Sequence, residues 1–273
     1  MKLPKLVIAD IDGTIRGRGV TNVGPKTVEA LNKLHEAGVL IGIASGRPLW
    51  QRVKEHNKEW GLDFQFDFLV GMNGSEWVDT KTNELHHNYL LSKQSLEEIF
   101  NVMKGTNTNC FVYRDGYQVY QYADEHVQSS YNRHGTPFVL AKEESDLWEE
   151  ETAKMLFWCG TQERRDELCV YAKEKQTDRF TAFTTGPELI EFQDPRVNKG
   201  VALRQICELY NIDLKDVVAF GDEENDKGIL ETAGYSVCLL NGSDAMKAIS
   251  DEVTRYDACD DGFGDYILEH FEF

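Results

Sequence analysis

The feature that most constrains this chain is a recurrence of short runs, apolar on both faces, each stopping at a loop of acids, hydroxyls or glycines. Lys5 to Ala9 ends in Asp10, and Val39 to Ala44 ends in Ser45 and Gly46. Asp67 to Gly71 ends at Met72, Asn73 and Gly74, and Val217 to Phe220 ends in Gly221-Asp222, with Tyr235 to Leu239 a further short run. A strand apolar on both faces is covered on both sides, as in a parallel sheet with helices above and below. Between the first two runs, Thr27 to Ala37 places Val28, Leu31 and Leu34 at helical spacing, after Pro25 and before Gly38. Strand, helix, strand at this spacing predicts a parallel βαβ unit.

From about Glu84 to Phe192 the rhythm changes. Val112 to Tyr122 alternates aromatic and polar residues around Asp115-Gly116, a hairpin signal. Helical patterns run over Ser92 to Lys104, Ala123 to His134 and Thr161 to Lys175, and Met155 to Cys159 and Phe180 to Phe192 read as further strands. The first rhythm then returns with an amphipathic helix over Asn198 to Tyr210. The predicted fold class is therefore α/β: a Rossmann-like parallel-sheet core, residues 1–82 and 193–273, interrupted by an α+β insertion, residues 83–192. Trp77, Tyr113, Tyr117 and Tyr120 are expected in the core of the inserted sheet, and no internal repeat is visible.

Charge narrows the partners. Of 273 residues, 47 are acidic and 29 basic, a formal net charge of −18, so a nucleic-acid backbone or an anionic membrane would meet long-range repulsion. No apolar run approaches the roughly 20 residues that cross a bilayer, and no leader pattern opens the chain. Cys110, Cys159, Cys169, Cys207, Cys238 and Cys259 form no C-x-x-C pair, so they read as reduced core thiols of a cytoplasmic protein rather than a disulfide framework. The expected partner is a small molecule, with no nucleic acid and no membrane, and the chain a monomer or small homo-oligomer.

Open α/β sheets bind ligands beyond the carboxyl ends of their strands. There the chain places Asp10-Ile11-Asp12-Gly13-Thr14, Ser45-Gly46-Arg47 and Gly221-Asp222-Glu223-Glu224-Asn225-Asp226, with Asn198-Lys199-Gly200 opening the helix that feeds the last strand. Each alone is a modest signal, since acids beside glycines are commonly turns. Other motifs fail. The chain has no Gly-Lys pair, hence no phosphate loop, and Gly17, Gly19 and Gly24 do not make G-x-G-x-x-G. Gly42 to Gly46 lacks the nucleophile-elbow spacing, Thr14 breaks the calcium-loop pattern begun by Asp10 and Asp12, and neither His86-His87 nor His35-Glu36 has zinc spacing.

Asp10, Asp12 and Asp222 gathered at one sheet edge would repel one another without a hard cation among them, and carboxylate with carbonyl oxygen is the ligand set magnesium prefers. With Lys199, the Ser45 hydroxyl and loop-end amides, the pocket also suits a phosphoryl group. A carboxylate nucleophile, a metal and a cationic clamp are the parts of phosphoryl transfer through an aspartyl-phosphate.

These four segments, in this order, resemble motifs one to four of the haloacid dehalogenase superfamily. The insertion between the second and third resembles the large α/β cap of its Cof-type phosphatases, and Met72-Asn73-Gly74-Ser75 and Asp261-Gly262 fall where that group has similar sequences, so the likeness spans essentially the whole chain. The resemblance implies a hydrolase in which Asp10 attacks phosphorus while Asp12 protonates the leaving alcohol and then activates water. An aspartate at that second position implies phosphatase rather than dehalogenase chemistry, because an alkoxide needs a proton and a halide does not. It further implies Mg2+ held by Asp10, the Asp12 carbonyl and Asp222, with Asp226 as a further or water-mediated ligand. Ser45, Gly46 and Lys199 would bind phosphoryl oxygens, Asn225 would orient the phosphate or Lys199, and Arg47 would reach the substrate beyond the phosphate. Gly228 departs from the group, which often has a larger apolar residue there, and is read as a flexible first helical turn.

The cap of this group sets the substrate. Arg133, His134 and Glu191 are polar candidates for it, although a solvated surface position is the plainer reading of each. The acidic run Glu143, Glu144, Asp146, Glu149, Glu150 and Glu151 reads as a solvated face. The expected activity is a Mg2+-dependent phosphatase of small phosphorylated metabolites, sugar phosphates first. A vitamin or nucleotide precursor phosphate, a phosphosugar mutase and a non-catalytic phospholigand-binding regulator stand as alternatives.

Overall fold

The computed structural model describes residues 1–273 except Gln51, Arg52 and Asp115, together with the side chains of Lys54, Arg133 and His134. The Asp115 half of the expected hairpin turn and the cap candidates Arg133 and His134 therefore lie outside the described residues. The chain divides into two compact units, Met1–Asn88 with Asn198–Phe273, and Tyr89–Val197.

In chain order the first unit opens with β1 (Leu6–Asp10), α1 (Pro25–Glu36), β2 (Leu40–Ala44), the short α2 (His56–Glu59), β3 (Phe68–Gly71), β4 (Glu76–Asp79) and β5 (Glu84–His87). The second unit holds α3 (Lys93–Met103), β6 (Asn109–Arg114), β7 (Tyr117–Tyr120), α4 (Glu125–His134), β8 (Phe138–Leu140), β9 (Lys154–Trp158), α5 (Gln162–Glu174), β10 (Thr181–Thr185) and β11 (Leu189–Gln193). The chain returns to the first unit through α6 (Lys199–Leu209), β12 (Val217–Gly221), α7 (Lys227–Thr232), β13 (Tyr235–Cys238), α8 (Asp244–Ile249), β14 (Glu252–Val253) and α9 (Gly262–His270).

The first sheet runs β14-β13-β12-β1-β2-β3-β4-β5 and is parallel from β14 to β3. Every residue of β1 is buried. Val7 and Ala9 face a core shared with Leu31, Leu34, Phe263 and Ile267, whereas Leu6 and Ile8 face one shared with Leu203, Ile206 and Ile229. Helices thus cover both faces of the sheet, as strands without a polar side require. Pro25 starts α1 where its missing N–H costs nothing, and Gly38 at φ 76° follows the Ala37 cap. Leu31, fully buried, makes the helix depend on the sheet: Leu31→Ala would cost about 2–5 kcal/mol.

One expectation is corrected at this sheet. β4 and β5 extend it as antiparallel strands, so the chain leaves the core a strand later than residue 82 and re-enters at Asn198 rather than at residue 193. Trp77 lies in β4 at 2% exposure, its Nε1 donating to Gln205 Oε1 at 2.7 Å, and belongs to the first unit rather than to the inserted sheet. Charged residues hide this strand in the sequence: Glu76 and Asp79 are buried, with Oε1 of Glu76 accepting from the Leu49 amide and Asp79 Oδ2 from the Tyr210 hydroxyl.

The second unit is α+β, with strand order β10-β11-β9-β6-β7-β8. Val112, Met155, Phe157, Ile190 and Phe192 point from one sheet face into a core with Leu96, Ile99 and Phe100 of α3 and Cys169 and Ala172 of α5. Tyr120 is fully buried and Tyr117 exposed. Glu191 is not a surface residue: it is 1% exposed, with the Lys154 ammonium 3.1 Å from its carboxylate. Most of the acidic run around the 3-10 turn Glu144–Trp148 is exposed, as expected.

Candidate active site

β1 and β12 lie side by side and parallel, so their carboxyl ends deliver Asp10 and Asp222 to the same edge. Lys199 is the first residue of α6, whose N-cap Asn198 accepts a hydrogen bond from the Val201 amide. That cap fixes the helix start and carries Lys199 inward with no exposed surface. Its Nζ lies 2.5 Å from Oδ1 of Asp10 and 2.6 Å from Oδ1 of Asp226. The other oxygen of Asp226 accepts the backbone amides of Asp222 and Glu223, at 2.9 and 3.0 Å, closing the turn after β12. Asp222 takes the Thr14 hydroxyl on Oδ1 at 2.9 Å and the Arg18 guanidinium on Oδ2 at 2.7 Å.

Asp10, Asp222 and Asp226 are all buried, and each offers a carboxylate oxygen within 4.8 Å of the others. Burial pushes the Asp10 carboxyl up to about 8 against the pull of Lys199, and it raises Asp222 as well. Burial works to lower Lys199, but Asp10 and Asp226 outweigh it and hold its ammonium above the ordinary lysine value. Carboxylates crowded this closely in a buried site are the electrostatic deficit that a hard divalent cation relieves, and an all-oxygen donor set fits such an ion.

Asp12 turns away from this group. Its Oδ1 accepts Arg16 through Nε at 3.0 Å and Nη2 at 2.9 Å, and its Oδ2 accepts Arg47 Nη2 at 2.6 Å. On the next strand end, Ser45 is 3% exposed and its Oγ accepts the Arg47 amide. Asn73, in the left-handed region at φ 57°, donates its amide to the Ser45 carbonyl and accepts from Asn225 Nδ2 at 3.3 Å. A Cβ on Gly46 would stand 2.9 Å from Asn73 Oδ1, so Ser45, Gly46, Asn73 and Asn225 share one patch.

Gly13 has to be glycine. Its φ is 103°, and a Cβ there would lie 2.3 Å from Asp222 Oδ2. Gly228 is corrected from a flexible turn to a packing contact: a Cβ on it would meet Asn198 Oδ1 at 2.5 Å, and one on Gly200 would meet the Gly228 carbonyl at 2.2 Å. The cap residue of the lysine-bearing helix thus rests on a glycine. Among the cysteines, Cys259 is exposed, contrary to the expected core position, while the other five are buried.

Sequence reasoning gathered Asp10, Asp12, Asp222, Asp226 and Lys199 with a phosphate-binding set of Ser45, Gly46, Arg47 and Asn225. The structure brings Asp10, Lys199, Asp222 and Asp226 together and Ser45, Gly46 and Asn225 into one patch, whereas the Asp12 carboxylate stands outside the acidic group and pairs with Arg47. Sequence reasoning passed over Arg16, Arg18 and Asn241. The signal for the arginines was the run Arg16-Gly17-Arg18-Gly19 directly behind the first motif. Asn241, which donates to the Gly13 carbonyl at 2.8 Å, carries no local signal.

The sequence model for haloacid dehalogenase-like hydrolases matches residues 7–267. The chain is 25% identical to a 5-amino-6-(5-phospho-D-ribitylamino)uracil phosphatase of Bacillus subtilis, covering 98% of both chains. It is also 25% identical to an HMP-PP phosphatase of Yersinia pseudotuberculosis, covering 98% of this chain and 95% of that one. A crystal structure from Thermotoga maritima superposes with a TM-score of 0.85 at 26% identity, covering 99% of this chain and 98% of that one. The chain belongs to the haloacid dehalogenase-like hydrolase family, among its Cof-type phosphatases.

Proposed function

We propose that the protein is a Mg2+-dependent phosphatase of small phosphorylated metabolites, sugar phosphates first, acting through an aspartyl-phosphate on Asp10. The observation that carries this reading is the buried group of Asp10, Lys199, Asp222 and Asp226 at the ends of two adjacent parallel strands. Asp10, Asp222, the Asp12 carbonyl and Asp226, directly or through water, would hold the ion. Once bound, Mg2+ supplies charge neutralisation for the transferring phosphoryl oxygens.

Lys199 engages Oδ1 of Asp10 and leaves Oδ2 to attack phosphorus. The new O–P bond forms as the ester P–O bond breaks, and protonated Asp12 gives its proton to the departing alkoxide. In the second half Asp12 takes a proton from water, the water oxygen bonds to phosphorus, and the acyl–phosphate bond breaks to return the Asp10 carboxylate. Ser45, the Gly46 amide, Asn225 and Lys199 bind the phosphoryl oxygens, and Arg47 reaches toward the leaving group. The inserted unit discriminates among substrates, because the catalytic groups recognise a phosphate and an ion but little of a sugar ring.

A second reading, the phosphate of a vitamin or nucleotide precursor, is favoured by two relatives aligned over nearly their full length, one a 5-amino-6-(5-phospho-D-ribitylamino)uracil phosphatase and the other an HMP-PP phosphatase. Phosphate release from a panel of sugar phosphates, ribityl phosphates and pyrimidine phosphates with Mg2+ decides between them. A kcat/KM highest for sugar phosphates supports the first reading. Transfer to an added sugar acceptor instead of water would turn the protein into a mutase, and no turnover of any member would remove the proposal.

A further inference from the structure

Arg18 stands in the loop behind β1, and its Nη2 reaches Asp222 Oδ2 at 2.7 Å and Glu223 Oε1 at 3.1 Å. The two ends of this contact differ sharply: the Arg18 side chain is 57% exposed, and that of Asp222 only 1%. Lys199 serves Asp10 and Asp226, so among the described residues the ion-pair partner of Asp222 is Arg18. Both Asp222 oxygens are already engaged, Oδ1 by the buried Thr14 hydroxyl and Oδ2 by the guanidinium, with Asn241 Nδ2 at 3.5 Å. A cation that takes Asp222 Oδ2 competes with the guanidinium for that oxygen and is repelled by its charge, and the exposed arginine is the member free to leave.

We propose that Arg18 is a built-in counter-ion of Asp222, so that a divalent cation binds the carboxylate group by exchange with this guanidinium. The inference rests on the metal reading above. The loop is shaped for it. Gly17 is pressed against Cys259, where a Cβ would lie 2.4 Å from Sγ, and the Val20 amide closes a turn on the Gly17 carbonyl. Gly13 clears the space beneath, since a Cβ there would stand 2.3 Å from Asp222 Oδ2 and 3.0 Å from Arg18 Nε. The backbone is held, so release needs rotation of one long exposed side chain rather than movement of the loop. In the metal-free protein Arg18 offsets a buried carboxylate beside two others. On metal binding that contact is lost, which weakens the apparent affinity by the worth of the pair.

Calorimetric titration of the metal-free full-length protein with Mg2+, together with thermal unfolding in chelator, tests this for wild type, Arg18→Gln and Arg47→Gln. Arg18→Gln should bind Mg2+ roughly three- to tenfold more tightly, between the worth of an exposed ion pair and that of a hydrogen bond to a buried charge. Its metal-free melting temperature should fall and its Mg2+-induced shift should grow. Arg47→Gln removes the same charge from Asp12 and should change Mg2+ affinity less than about twofold. Unchanged affinity in Arg18→Gln beside clear binding by wild type overturns the exchange and leaves the metal reading standing. Equal tightening in both variants also overturns it, by reducing the effect to net charge. Absence of Mg2+ binding in wild type overturns the metal reading itself, and the exchange with it.

Discussion

Lys199 and Asp226 form an ion pair with no exposed side-chain surface at either end, Nζ to Oδ1 at 2.6 Å, and the same ammonium reaches Asp10 at 2.5 Å. One buried cation therefore serves two buried carboxylates. Removing it leaves both charges without their partner, the costly way to break a buried pair. Lys199→Met should lose about 3–5 kcal/mol of unfolding free energy in urea titrations. Added Mg2+ should restore part of that loss, since a divalent ion at the carboxylates replaces the missing charge. Equal stability of the variant and wild type in chelator would contradict the pairing.

Asp10 and Asp12 lie two residues apart in different surroundings, one on a buried lysine and the other between two arginines. Asp10→Asn should keep the fold by circular dichroism and fall below a hundredth of wild-type turnover, because an amide forms no acyl-phosphate. Asp12→Asn should lose roughly 10²- to 10⁴-fold in kcat, least with a good leaving group such as nitrophenolate, which needs little protonation. An equal loss across leaving groups would remove Asp12 from the acid role.

Chelator should abolish phosphate release, and Mg2+ should restore it. Asp222→Ala should raise the Mg2+ requirement sharply or end activity. Ca2+, with its larger and looser coordination, should inhibit by spoiling the in-line geometry. Full activity in chelator would be incompatible with the proposed function.

The candidate site's grouping of Asp10, Lys199 and Asp222 was legible in the sequence because each sits at a strand end or helix start, where an apolar run stops and a polar residue follows. Asp10, Ser45, Lys199 and Asp222 are fixed by such local boundaries. β4 was not legible, since its buried Glu76 and Asp79 find partners, the Leu49 amide and the Tyr210 hydroxyl, that are distant in sequence. Arg16 and Arg18 were missed for a related reason. A charged loop residue is drawn to a site by the carboxylate it meets there, and for Arg18 that carboxylate comes from a segment far along the chain. Gly228 was misread because its constraint is the neighbouring Asn198, which no periodicity reveals.

His56 makes the stability depend on pH. It is 2% exposed, stacks on Trp60 at 5.0 Å, and has Nδ1 2.9 Å from Glu59 Oε2, while Nε2 is buried without a hydrogen-bond partner among the described residues. Burial lowers its pKa below the ordinary 6.5, with Glu59 opposing. The unfolded chain therefore takes up the proton first as pH falls. Stability is fully present above about 6.5 and is lost as pH drops through that value toward the folded one. His56→Phe should flatten the dependence of urea midpoint on pH between 7.5 and 5.0 relative to wild type. An unaltered slope would show that this imidazole does not set it.

Gly228 holds the helix that carries the lysine. A methyl added there would sit 2.5 Å from Asn198 Oδ1 and 2.9 Å from its Cβ, and Asn198 is the N-cap that fixes the start of α6. The Asn198 side chain cannot yield freely, because its Oδ1 accepts the Val201 amide. Gly228→Ala would favour α7 through helix propensity by under about 1 kcal/mol. Overpacking at this contact costs about 1–3 kcal/mol, so the steric term wins and the variant should be less stable. Its effect should reach the active site, since Lys199 follows Asn198 directly: kcat should fall while the protein remains folded. The double variant Asn198→Gly/Gly228→Ala relieves the clash while keeping a tolerated cap residue, and should recover stability relative to Gly228→Ala alone. A Gly228→Ala protein with wild-type stability and turnover would show that α6 and α7 can separate at this point without moving Lys199.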